Sequence, residues 1–184
     1  MIILCFWVFI GMGPILYMED MGVKIEHFGF YQGVVAGCFA IISLMSPMVM
    51  NRYGQIRCFK VSTVFLVILA GILAFTAVFI KDQPMLITAL MAAFGMGFVF
   101  PVNVLWPASL EIVPDTKARA SALMNVGRLS MTGLALEVIS YIYGGRFLYM
   151  GLFIFVATLL SAYFFRKTAE WNTRDHEQTK KMAA

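Results

Sequence analysis

Six apolar runs, each close to the length of a membrane span, follow one another through this chain with short polar turns between them. They lie at about residues 2–18, 28–50, 59–80, 85–110, 120–143 and 147–165. A helix needs about 20 mostly apolar residues to cross the hydrocarbon core of a bilayer. Inside lipid the backbone must satisfy its own hydrogen bonds, and a helix does so within one segment. The expected fold is therefore all-α: a bundle of six transmembrane helices over residues 1–166, then a polar, frayed tail over 167–184.

Composition excludes the soluble alternative. Hydrophobic residues make up 61% of the chain and charged residues 13%. Soluble domains run nearer 45–50% and about 25%. A 184-residue globule has no interior large enough for that excess. The first run has no basic residue before Lys24, whereas a secretory leader opens on a basic region, so it reads as a span. Cys5, Cys38 and Cys58 stand apart with no CxxC and read as small packing residues, so no metal site is expected. His27 and His176 are distant, and no HExxH, GxSxG or P-loop is present. Nothing nominates an enzyme or a cofactor.

The net charge of +4 is topological. If the tail is cytoplasmic, six spans return the N-terminus to the same side. That side then holds Arg52, Arg57, Lys60, Lys117, Arg119, Arg166, Lys167, Arg174, Lys180 and Lys181. The other side holds Lys24, Lys81 and Arg146. The positive-inside rule favours this arrangement, both termini cytoplasmic. The basic balance is then no sign of nucleic-acid binding.

The spans differ in character. The third and sixth are almost uniformly apolar and suit lipid contact. The first, second, fourth and fifth carry Gly, Pro, Asn, Gln or charge, which membrane helices tolerate where protein or a watery cavity covers them. Plain helices at positions three and six suggest a three-helix unit used twice.

Arg128 and Glu137 stand inside the fifth span. A charge at the midplane costs roughly 2.5–3.5 kcal/mol on insertion scales, so each needs a reason. Nine residues put them on opposite sides of one helix, where they cannot pair. Arg128 shares a face with Ser121, Asn125 and Thr132, which makes it the better cavity candidate; the alternative is a structural arginine. Asn103, mid-span in the fourth run, either faces the cavity or bonds a neighbouring helix. Gln32 is a further pathway candidate. Pro101 and Pro107 can hinge or simply bend the fourth helix. Gly33 and Gly37 form a GxxxG suited to close helix packing, and Gly95 and Gly97 are read the same way.

Two stretches resemble a known family. "NRYGQIR", Asn51 to Arg57, resembles the degenerate copy of the D-R-x-G-R-[RK] loop of major facilitator transporters, with Arg52 and Gly54 matching. Asn51 stands at the acidic position, and Gln55 and Ile56 depart from the basic pattern. The stretch "GMGFVFPVNVLWPASLEIVPDTKARASALMNVGR" is similar to the helix 10 to helix 11 region of the Bcr/CflA-type drug-resistance group. Gly95, Gly97, Pro101, Glu111, Pro114 and Ala120 to Leu123 carry that likeness. The resemblance implies one six-helix half of the transporter fold, two three-helix repeats, with the plain third and sixth spans peripheral. It implies substrate near the midplane, between two halves. It further implies an inner-membrane antiporter that exchanges a small organic molecule, such as a drug, for protons. Arg52 and Gly54 would take a gating role. A second six-helix half, or a second copy, is then expected as partner. A truncated remnant or a helical interaction subunit is the competing expectation.

Overall fold

A computed structural model describes residues 2–79, 83–111, 116–144 and 147–182, with side chains from Ile3 as far as Lys167. Lys81, Pro114 and Arg146 lie outside the described residues. Six helices carry the chain: α1 (Ile2–Pro14), α2 (Ile25–Tyr53), α3 (Gln55–Phe79), α4 (Pro84–Glu111), α5 (Lys117–Ile142) and α6 (Phe147–Met182). There is no strand among the described residues. All six are long and apolar enough to cross a bilayer once the continuation of α1 is included.

That continuation is a π-helical turn, Ile15–Asp20, entered directly after Pro14. Proline has no N–H to give the preceding turn, and the chain goes on in a wider register. Met21 N donates to Leu16 O at 3.2 Å and Val23 N to Tyr17 O at 2.8 Å. At the other extreme, α6 runs to Met182, so the tail backbone is helical where an irregular end was expected. No Gly or Pro falls within residues 167–182, and the sequence sets Glu170 four residues before Arg174 and Glu177 four before Lys181. That spacing and order favour a helix.

The order of packing has a symmetry. α2 lies mainly on α4, and α1 on α5. α3 lies on α4, and α1 on α6; α3 and α6 lie on each other, as do α1 and α4. The minor contacts α2–α3, α5–α6, α1–α2 and α4–α5 join them. Exchanging α1, α2, α3 with α4, α5, α6 maps this set onto itself.

The core is built by α1, α3, α4 and α6. Phe9, Tyr17, Phe94, Leu66, Leu73, Met91, Met150 and Ile154 are fully buried there. Tyr17 Oη and Thr88 Oγ1 lie 2.6 Å apart and tie the two central helices together. Two close approaches rest on glycine. A Cβ at Gly97 would sit 3.0 Å from Phe65 and 3.1 Å from Leu66, and one at Gly151 only 2.7 Å from Ala77 Cβ. Helices α3 and α6 therefore turn one face to each other and keep another outward. On α3 the outward residues are Val61, Val64, Phe65, Ile68, Ile72, Phe75 and Phe79, a helical stripe.

Helices α2 and α5 are covered least. The buried share of the apolar stretch is 6% for α5 and 17% for α2, against 56% for α4. The uncovered face of α5 is mostly apolar, with Leu123, Val126, Leu129, Leu134 and Val138.

Candidate functional site

The polar residues of the spans are dispersed rather than gathered into one pocket. Arg128 is half-buried on α5, about 16 Å along the helix from Lys117, near the middle of its 26 residues. Its guanidinium carbon lies 5.9 Å from the ring centroid of Trp7 on α1. The contact follows from the seam between these helices. Trp7 meets Arg128, Gly11 meets Leu136, and Tyr143 donates a hydrogen bond to Asp20. Residue numbers rise together, so α1 and α5 run parallel.

Arg128 Nε is buried without a hydrogen-bond partner, and no described residue forms an ion pair with the group. The Thr132 hydroxyl is directed elsewhere: it donates to the Arg128 main-chain carbonyl at 2.8 Å. An arginine at the centre of a span costs about 2.5–3.5 kcal/mol. A cation–π contact offsets about 0.5–1 kcal/mol when exposed and about 2 kcal/mol when dry. The indole is 45% exposed, so the smaller figure applies. Stacking alone leaves Arg128 under-compensated, with donors to spare.

One helical turn before this pair lies a cavity of about 150 Å³. Ile3 and Met124 line it, four residues before Trp7 and Arg128 respectively. Pro101, Leu105, Trp106 and Ser109 form the α4 wall. Pro101 thus borders the cavity, while Pro107 is exposed, and α4 runs unbroken through both. Asn125 is half-buried on the Arg128 face of α5.

The other candidates stand elsewhere. Asn103 Nδ2 donates to Ser46 Oγ on α2 at 2.7 Å, an interhelical bond. Gln32 packs against α1 at Gly13, where a Cβ would collide with its Nε2. Glu137 is exposed, away from Arg128. At Gly33 and Gly37 a Cβ meets nothing within 4 Å inside this chain. Gly33 is exposed and Gly37 half-buried, so neither marks a close helix approach within the chain. A Cβ at Gly95 would come within 3.0 Å of the Phe6 ring. Arg52 stacks over the neighbouring Tyr53 at 5.8 Å. Gly54 is the single residue between α2 and α3, at φ +86. No group of metal-ligating side chains occurs among the described residues.

Trp7, Ser46 and Gly151 carry no signal in the sequence. Each matters only through a residue on another helix, so none stands out along the chain. No protein-family model, curated protein or solved structure matches the chain.

Proposed function

We propose that this chain is one six-helix half of a major facilitator secondary transporter in an inner membrane. It moves a small organic molecule by alternating access, in exchange for protons. Both termini are cytoplasmic, and α1–α3 and α4–α6 are its two repeats. The observation that carries this reading is the packing set that survives exchange of α1–α3 with α4–α6. Three-plus-three repeats inside a six-helix half are the architecture of such transporters. Support also comes from the bare faces of α2 and α5. A companion, either a second six-helix half or another copy, covers them and closes the pathway. Arg128, with unused donors at mid-span, is the residue placed to meet substrate.

The test is proton flux. The chain is reconstituted in vesicles carrying a pH-sensitive dye and an imposed pH gradient. Small anionic, neutral and cationic organic solutes are then added in turn. Solute-dependent proton movement is the expected result. No flux with any solute, together with no self-association in detergent, would make the chain a helical interaction subunit or a remnant instead.

A further inference from the structure

We infer that the Arg128–Trp7 pair is a recognition site for an anionic group, and that the molecule it takes is a small organic anion: a carboxylate or sulfonate on a planar apolar body. The choice of transported class rests on the transporter reading; the binding site does not.

Charge decides the first half. Among the described residues no acid pairs with Arg128, and the acid of its own helix, Glu137, is exposed on another side. A cationic ligand arriving at this seam meets a bare guanidinium and nothing to balance it. An anion supplies what the protein withholds. The guanidinium presents a planar fork that matches a carboxylate or sulfonate through two parallel N–H···O bonds. Its buried Nε has no other acceptor. Asn125, one turn earlier on the same stripe, brings an amide donor that no described residue engages.

Shape decides the second half. The Trp7 indole is about half open, so an aromatic ring can lie against it. One turn along both helices is the cavity bounded by Ile3, Leu105, Trp106 and Met124. A turn is about 5.4 Å, which suits a single ring carrying its acid on one edge. A volume of about 150 Å³ has room for a benzene-sized guest. A ligand with its acid at Arg128 and its ring directed to this cavity uses both features at once.

The experiment is equilibrium binding of radiolabelled benzoate to the full chain in lipid nanodiscs. Saturable binding is expected, displaced by benzenesulfonate and not by benzylamine. Arg128→Gln should weaken it at least tenfold, Arg128→Lys by less, and Trp7→Leu several-fold. Helix content by circular dichroism checks folding; should Arg128→Gln fail to fold, Arg128→Lys and Trp7→Leu decide. No saturable binding in the wild type, equal affinity in the variants, or displacement by benzylamine overturns the site. Benzoate uptake into vesicles separates the two readings. Binding without uptake removes the transporter and keeps the site. Uptake of cations that is indifferent to Arg128→Gln removes the site and keeps the transporter.

Discussion

Asn103 on α4 donates to Ser46 on α2 across 2.7 Å, and the Ser46 hydroxyl donates onward to the Ser43 carbonyl at 2.9 Å. Ser46 is wholly buried, so this short relay fixes where α2 and α4 meet. Asn103→Ala leaves Ser46 its own bond to Ser43, so the loss should be modest. Interhelical polar contacts in membranes average about 0.6 kcal/mol and reach about 1.7 kcal/mol. Unfolding in mixed detergent should register a decrease in that range, with transport kept. Transport lost at unchanged stability would return Asn103 to the substrate path.

Six helices were legible because a span announces itself by length and apolarity alone. The structure moves their ends by only a few residues, apart from the helical tail. What the sequence did not reveal is which face of each helix packs. In water, burial leaves an amphipathic stripe. In lipid the surroundings are as apolar as leucine, so that signal is absent. Helix α3 makes the point: Leu66, Leu69 and Leu73 are buried, while Val64, Ile68 and Ile72 are exposed. Both sets are aliphatic, so apolarity alone does not separate them. The site shows the same limit. Arg128 could be picked out because its charge is rare, but Trp7 needed the fold to bring α1 beside α5.

Glycine gives a sharp test of that lesson. Gly33 and Gly37 form the visible motif yet have room for a Cβ, whereas Gly151 belongs to no motif and holds α3 against α6. A Cβ at Gly151 would press on Ala77 Cβ at 2.7 Å and on the Leu73 carbonyl at 3.3 Å. Neither can rotate away, so the helices must part. Gly151→Ala should destabilise the chain by roughly 1–3 kcal/mol, the cost of overpacking. Gly33→Ala should instead stabilise the isolated chain by up to about 1 kcal/mol, through helix propensity alone. Thermal unfolding of both variants in detergent checks the opposite signs; a shared sign would mean the α3–α6 contact is wrongly placed.

The α2–α3 junction makes a separate demand. Gly54 stands at φ 86 and ψ 139, outside the left-handed helical region that asparagine tolerates. Conformations of this kind cost a residue with a side chain about 1–3 kcal/mol. Gly54→Ala and Gly54→Asn should therefore be about equally destabilising, as read from their denaturation midpoints. A clear rescue by asparagine would show that the junction adopts ordinary left-handed geometry in the membrane.

A companion reveals itself through space that the single chain leaves empty. Gly33 on α2 and Gly127 on α5 are both exposed, and a Cβ at either meets nothing within 4 Å. These helices exchange places under the packing symmetry, so a companion that covers one should cover the other. Inside the single chain, Gly33→Leu and Gly127→Leu add side chain to empty space, and folding should be untouched. Against a companion the same leucines fill room that close helix approach requires. Chemical crosslinking in native membranes should then capture fewer complexes of the double variant than of the wild type, at equal protein level. If the crosslinked fraction holds steady, the companion does not lie against these faces. If the protein level falls as well, the faces are packed within the chain itself.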